Sequence, residues 1–192
     1  YGPSPPIDNV RGPSHGGEGG KNEGAVQVPT YGSISSPTNF GSGGCNGSES
    51  TGPNKGGGAI VLRVAGTTIL EGQILANGGP RDGNCTAAGG SVWLITGQLS
   101  GAGAVRANGG TAGARGGGGG RVAVVVTNAG ADFSAFTGAM TAYASGGGAA
   151  GTVYREKSGD APGKGELVVN NNGNACLLDI STVLSGVSAA TC

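Results

Sequence analysis

Short apolar runs bounded by glycines recur along the chain between Ile60 and Val169. The runs read AIVLRVA, SVWLI, RVAVVV and ELVV. Segments of this length that are rich in Val and Ile and end at glycines are typical of β-strands. None of them approaches the roughly 18 consecutive apolar residues of a membrane-spanning helix. The pattern therefore predicts a strand-rich protein.

The strands recur at a regular interval. Four similar tetrads lead into a strand and begin at positions 57, 89, 119 and 150, which gives steps of 32, 30 and 31 residues. A second apolar strand follows within each period, and each period closes on a glycine- or asparagine-rich turn. The second strands are expected within Leu70–Ala76, Leu99–Ala107, Phe136–Ala142 and, more loosely, Glu166–Val169. A period near 31 residues indicates stacked structural repeats.

Alternation along the strands predicts which side chains share a face. Ile60, Val92, Val122 and Val153 fall at one position of successive periods, and Ile74, Val105 and Met140 fall at another. Stacked strands about 4.8 Å apart require side chains of similar size at equivalent positions. The fold expected is an all-β parallel β-helix, or β-solenoid, of about four coils. A β-sandwich is the competing fold, but its hairpins would repeat every 8–12 residues or so.

Three regions are expected. Residues 1–55 are rich in Gly and Pro and are predicted to form an arm and an irregular first coil, and residues 56–173 form the β-solenoid. Residues 174–192 are predicted to cap the last coil with a final strand or short helix, because the terminal coils of repeat structures expose edges.

Glycine accounts for 45 of the 192 residues. This content disfavours helices, because an interior Gly costs a helix about 1 kcal/mol relative to Ala. Eleven basic and eleven acidic residues balance each other, which provides no electrostatic attraction for nucleic acid or an anionic membrane.

Cysteines and glycosylation sequences indicate an oxidising compartment. Cys45, Cys85, Cys176 and Cys192 lack the spacing of a zinc site and are expected to form the disulfides Cys45–Cys85 and Cys176–Cys192. The sequons at Asn46 and Asn84 each lie beside a cysteine. Together they predict a secreted glycoprotein, extracellular or at the cell surface. Because the chain starts at Tyr1, it is expected to be a mature or excised piece of a longer product.

Polar and aromatic residues at fixed positions of the repeat suggest further roles. Asn77 and Asn108 share a turn position and either form a ladder along the stack or act as ordinary turn residues. Trp93 and Tyr154 share an outward position, where they could contact a sugar or a partner unless an arm covers them.

The residues of a catalytic site are not found in the sequence. The acidic residues do not align from period to period, so no carboxylate pair is expected. His15, the single histidine, could form a metal pair with Glu18 but is expected to be a solvated loop residue. No enzyme activity, metal or cofactor is predicted.

The order of motifs GGGAIVL, ILANGG, GGSVWL, GGGGGRVAV and AAGTVY resembles glycine-rich right-handed parallel β-helix modules of large secreted and cell-surface proteins. The resemblance covers about residues 55–173 and implies a scaffold, adhesin or fibre component. The function expected is an extracellular structural module that assembles with copies of itself, head to tail, into a fibre or matrix. A carbohydrate-binding adhesive module is the alternative, and an ice-binding surface is disfavoured because the threonines are scattered.

Overall fold

Eight β-strands make up the regular structure of the protein. The structure, a computed structural model, describes residues 2, 11–26, 28–44, 54–80, 85–111, 115–177 and 179–184. These residues contain no helix. The strands are β1 (Ala59–Ile69), β2 (Gln73–Leu75), β3 (Ser91–Ser100), β4 (Ala104–Arg106), β5 (Arg121–Val126), β6 (Ala139–Thr141), β7 (Thr152–Glu156) and β8 (Glu166–Val168).

The strands form two sheets. The larger sheet has the order β1-β3-β5-β7-β8 and the smaller one the order β2-β4-β6. Neighbouring strands from β1 to β7 in the larger sheet are parallel, as are all strands of the smaller sheet. Residues about one period apart are therefore side by side, and the predicted parallel pairing of Ile74 with Val105 is confirmed.

The register follows the predicted steps across the larger sheet. Ile60 pairs with Val92, Val92 with Val122, and Val122 with Val153. These side chains form a core cluster with Ile74, Val105 and Met140 of the smaller sheet. Leu94 and Val124, two positions further along β3 and β5, are fully buried.

The predicted β-solenoid of about four parallel coils is wrong. β8 is antiparallel to β7, so the larger sheet is mixed, and among the described residues the chain forms two separate sheets without a closed coil. Residues 166–169 were expected to extend the smaller sheet, but Glu166–Val168 join the larger one.

Polar contacts across the turn explain the reversal of β8. Arg155 and Glu166 lie opposite each other in the antiparallel register and form an ion pair. The Tyr154 hydroxyl accepts a hydrogen bond from the Gly165 amide at 2.9 Å, and Glu156 accepts one from the Gly163 amide at 2.7 Å. Cross-strand pairs of opposite charge stabilise antiparallel strands, so these contacts favour a hairpin over continuation of the parallel stack.

The described residues of the predicted arm lie along the glycine-rich turns. Gly16 donates a hydrogen bond to the Gly119 carbonyl at 2.9 Å, and Gly118 donates one to the Pro13 carbonyl at 2.9 Å. Ser42 accepts one from Ala88 at 3.0 Å. Residues 11–26 and 28–44 therefore form an irregular layer against the stack, which we call the N-terminal layer.

The C-terminal segment meets the same layer. The described residues after 173 contain neither a strand nor a helix, although Cys176 forms an isolated bridge with Gly147. The Glu18 carboxylate accepts a hydrogen bond from the Ser181 amide at 2.8 Å, and Thr182 donates one to the Ala150 carbonyl at 2.6 Å. These hydrogen bonds thus connect the C-terminal segment to the N-terminal layer and to the turn at Ala150.

Candidate functional site at the open edge

One edge of β1 has no partner strand in the described part of the chain. β1 is 11 residues long and pairs with β3 on one side only. Leu62 is 39% exposed, whereas Leu94 and Val124, which follow it in register across the sheet, are 0% exposed. The same repeat position therefore changes from core to surface because β1 is covered on one side only.

Several large apolar side chains gather at this end of the two sheets. We call this surface the open edge, and it consists of the exposed residues Val61, Leu62, Val64 and Ile69 of β1 and Leu75 of β2. A row of unpaired backbone groups flanked by apolar side chains is a template for strand addition. The open edge is therefore a candidate interaction surface.

The regular part of this edge is its first half. The pairing of β1 with β3 shifts register between Val64 and Thr67, which marks a bulge. A bulge twists a strand and interrupts its pairing. A partner strand could therefore pair in a regular register along Ala59–Val64.

The opposite end of the stack is covered. β8 occupies the edge of β7, and polar side chains from the following turn satisfy backbone groups near β6. The Asn171 side chain accepts a hydrogen bond from the Ala144 amide at 2.8 Å and donates one to the Gly148 carbonyl at 3.1 Å. The two ends therefore differ, since one exposes a long apolar edge and the other a short strand and polar contacts.

The predicted aromatic surface is not formed as expected. Tyr154 is only 4% exposed, because it lies opposite Leu167 of β8 and its hydroxyl bonds to Glu156 and Gly165. Trp93 is half-buried, and the Arg63 guanidinium lies over its ring at 4.7 Å from the centroid. The prediction that both aromatic residues project to solvent is wrong for Tyr154.

Asn77 and Asn108 connect successive turns by side chain-to-backbone hydrogen bonds. The Asn77 side-chain oxygen accepts a hydrogen bond from the Asn108 amide at 2.8 Å. The Asn108 side-chain oxygen in turn accepts one from the Tyr143 amide at 3.1 Å. Each asparagine thus satisfies a backbone donor of the next turn, which differs from stacking of amide upon amide.

The cysteines are partly within the described residues. Cys85 is disulfide-bonded and Cys176 is free, so the predicted Cys176–Cys192 bridge is not formed in this structure. Cys45, Cys192, Asn46 and Asn84 lie outside the described residues. Gly44, which precedes Cys45, packs so closely on Cys85 that a methyl group on it would lie 3.0 Å from the Cys85 carbonyl oxygen.

A buried polar cluster between the N-terminal layer and the larger sheet was missed by sequence reasoning. His15 was expected to be solvated, but it is fully buried, stacks on Tyr31 with ring centroids 4.6 Å apart, and its Nδ1 bonds to the Gly89 carbonyl at 2.7 Å. The buried Arg121 donates hydrogen bonds to the Tyr31 carbonyl at 2.8 Å and the Thr152 hydroxyl at 3.1 Å. The one available signal is the run of glycines around His15, which lets the backbone approach the turns.

Burial shifts the pKa values in this cluster. Desolvation, with a smaller contribution from the positive charge of Arg121, lowers the pKa of His15 to about 4. Burial also lowers the pKa of Arg121 to about 10 and raises that of Tyr31 to about 12. His15 is thus neutral at pH 7, and its role is to hold the N-terminal layer against the turn at Gly89.

The described residues form neither a metal cluster nor a cleft with charges of one sign. The described residues contain no group of three or more His, Cys, Asp or Glu side chains that could hold a metal ion. A cleft of about 320 Å³ next to β8 contains Arg155, Lys157 and Lys164 together with Asp160 and Glu166, so positive and negative charges compensate each other there. Among the described residues, no helix has the length and apolar character needed to cross a membrane.

No protein-family model matches the chain, and neither does any curated protein or solved structure. The resemblance to β-helix modules thus stays an expectation, and the geometry of the molecule itself is what indicates a function.

Proposed function

We propose that the protein is a non-enzymatic structural module that associates with copies of itself through the open edge. The observation that carries the proposal is the 11-residue strand β1, which has no partner on one side in the described part of the chain and exposes Leu62, Val64 and Ile69. Proteins usually protect such edges with charges, prolines or covering loops. An apolar edge of this length is typical of a surface that binds another strand.

The chemistry of the edge favours association over solvation. In β1 the single charged residue is Arg63, and its guanidinium lies over Trp93. Leu62 is 39% and Val64 37% exposed, so covering the remaining apolar surface contributes about 0.6–1.2 kcal/mol for each side chain, a fraction of the roughly 1.5–3 kcal/mol of full burial. Main-chain hydrogen bonds along Ala59–Val64 would add directionality.

An extracellular or cell-surface location is part of the proposal. The disulfide at Cys85 supports it, because disulfides persist mainly in oxidising compartments. The sequons at Asn46 and Asn84, which lie outside the described residues, agree with a secreted glycoprotein.

Copies of the protein could join in two ways, through two open edges or head to tail. Head-to-tail joining would place β1 of one copy beside the last strand of the larger sheet in the next copy. That position is held by β8, which is three residues long and ion-paired through Glu166. A substitution of Val169, which directly follows β8, therefore tests whether this end of the stack takes part in association.

The carbohydrate-binding alternative has less support. It depended on two aromatic side chains that project together, whereas Tyr154 is buried and Arg63 covers one face of Trp93. No other described feature favours sugar binding over association.

The experiment compares the sedimentation behaviour of three proteins over a range of concentrations. The double variant Leu62→Lys/Val64→Lys places two charges on the open edge, and Val169→Lys is a control at the other end of the stack. Val64 and Val169 are both 37% exposed, so the control matches the Val64→Lys part of the double variant in residue type and exposure. We expect the double variant to weaken self-association about 100-fold or more, because the apolar contact is lost and lysines oppose one another.

Four outcomes separate the possibilities. Association that is lost in the double variant supports the proposal, and its retention in Val169→Lys indicates joining through two open edges, whereas loss in both variants indicates head-to-tail joining. A wild-type protein that remains monomeric at high concentration overturns it. Loss of association in Val169→Lys alone would also contradict it, since the open edge would then be dispensable. Circular dichroism of each variant checks that the strands are retained.

A further inference from the structure

We propose that two copies join with β1 antiparallel to β1 around a two-fold axis, and that Leu62 of one copy lies opposite Leu62 of the second. This inference rests on the proposed function and specifies its partner strand and register. It predicts a closed pair of modules in place of a growing fibre.

The partner strand follows from the free edges in the described part of the chain. β2 and β6 at the edges of the smaller sheet, and β8 at the edge of the larger one, are each three residues long. β1 alone offers an edge of 11 residues. The edge most similar in length and apolar character to β1 is therefore β1 of a second copy.

The direction of pairing follows from symmetry. Identical surfaces that contact each other are related by a two-fold axis, and this is the commonest arrangement of protein dimers. An axis perpendicular to the larger sheet brings β1 beside β1 in the opposite direction. The larger sheet of one copy then continues into that of the other, with both cores on the same side.

The alternation of side chains restricts the register. Ile60, Leu62 and Val64 belong to the face that is buried at the equivalent positions of β3, Val92, Leu94 and Thr96. Directly opposite residues of antiparallel strands point to the same face. A continuous core therefore requires each of these residues to lie opposite another member of the same set.

Apolar matching and charge select one register among those allowed. With Leu62 opposite Leu62, each Ile60 faces Val64 of the second copy, so all three apolar residues are matched. Centring the pair on Arg63 would place two guanidinium groups opposite each other, which is destabilising. Centring it on Val61 would leave Val64 opposite Gly58.

The preferred register also agrees with the shape of the strand. It uses Ala59–Val64 and ends at the shift in register that begins after Val64. On the other face it places Val61 opposite Arg63, whose aliphatic portion can cover the valine. The regular part of β1 is therefore used fully.

Cysteine cross-linking tests the register. In a Cys176→Ser/Cys192→Ser background, which removes the free thiol of Cys176 and the cysteine that a Cys45–Cys85 bridge leaves over, Leu62→Cys should form a disulfide-linked dimer on mild oxidation. Directly opposite side chains have Cβ atoms about 4.5–5.5 Å apart, close to the separation that a disulfide needs. Ile69→Cys is the control, because Ile69 is 72% exposed but lies beyond the paired segment in this register.

Cross-linking in a mixture of two cysteine variants tests the neighbouring positions Val61 and Arg63. Val61→Cys and Arg63→Cys, combined in equal amounts, should cross-link to each other at least several-fold more than either variant does to itself. Sedimentation of the uncross-linked wild type should show a dimer as the largest species.

The outcomes distinguish this inference from the proposed function. A protein that does not associate at any concentration overturns both. Association with efficient cross-linking at Ile69 and none at Leu62, or continued growth beyond a dimer, overturns the two-fold arrangement and leaves self-association standing. Efficient Leu62 cross-linking in a dimer supports both.

Discussion

Burial decides the behaviour of the titratable side chains in the N-terminal layer. His15 donates from Nδ1 to Gly89, while its Nε2 is buried and has no hydrogen-bond partner among the described residues. Protonation of Nε2 would place a second positive charge near Arg121 in a poorly solvated site. The neutral imidazole is therefore the form that the folded protein stabilises.

This arrangement predicts a loss of stability in mild acid. The unfolded chain binds a proton at His15 near pH 6.5, whereas the folded protein does so only near pH 4. Stability from this group is therefore complete above about pH 6.5, decreases as the pH falls towards 4, and is constant below that value. The shift corresponds to about 3 kcal/mol in the free energy of unfolding.

Urea unfolding at several pH values measures this effect. The protein is compared with His15→Asn, which keeps a side-chain donor but does not titrate in this range. We expect the free-energy difference between the two proteins to shrink between pH 6.5 and 4. A difference independent of pH would show that His15 is not held neutral in the fold.

Among the strands, glycine permits the close approach of successive turns. Gly58, Gly90, Gly120 and Gly151 occupy one position at the start of β1, β3, β5 and β7. A methyl group on Gly120 would lie 2.1 Å from the Gly90 carbonyl oxygen, whereas one on Gly58 would meet no atom of the described part of the chain within 4 Å. The requirement for glycine therefore applies inside the stack and disappears at its open edge.

Two single alanine substitutions, one inside the stack and one at its open edge, test this difference. Gly120→Ala should destabilise the protein by about 1–3 kcal/mol, because the backbone of adjacent strands must separate to admit the methyl group. Gly58→Ala should change the free energy of unfolding by less than about 0.5 kcal/mol. Equal effects of the two substitutions in urea unfolding would contradict the position of Gly58 at an uncovered edge.

The period of about 31 residues does not predict that β8 runs antiparallel to β7. The apolar run ELVV predicts a strand, and a strand is present at Glu166–Val168. Its apolar pattern suits either sheet, however, and the choice depends on the ion pair of Arg155 with Glu166 and the bonds of Tyr154 with the turn. Such contacts are properties of a pair of elements and are absent from a pattern read along one segment.

For the whole molecule, a covalent link to Cys85 restrains the chain. Because Cys176 is free, Cys85 must pair with Cys45 or Cys192, both outside the described residues. The contact of Gly44 with Cys85 favours Cys45. This bridge would join the N-terminal layer to the loop that precedes β3.

Non-reducing peptide mapping should therefore recover a Cys45–Cys85 peptide together with alkylated Cys176 and Cys192. A Cys85–Cys192 peptide would contradict this pairing. Closure of a loop of this length stabilises a fold by about 3–4 kcal/mol in the chain-entropy account, so Cys45→Ser should lower the free energy of unfolding by a similar amount. A matched Cys176→Ser variant should have a much smaller effect.

The sequence by itself determined the strands and most of their pairing. Apolar runs bounded by glycines recur at steps of 30–32 residues, and equivalent positions carry side chains that can pack on one another. The parallel neighbours β1, β3, β5 and β7, and the contacts of Asn77 and Asn108, follow this order. Local composition and periodicity suffice there because each strand meets a near-copy of itself.

Only the tertiary structure decided the rest. It placed His15 against Gly89, 74 residues away, buried Tyr154 of β7 by pairing it with β8, and left the edge of β1 exposed. These features arise where one segment meets another with a different sequence, or meets none. Burial and partner choice depend on such long-range contacts, and a repeat pattern carries no information about where the repetition stops.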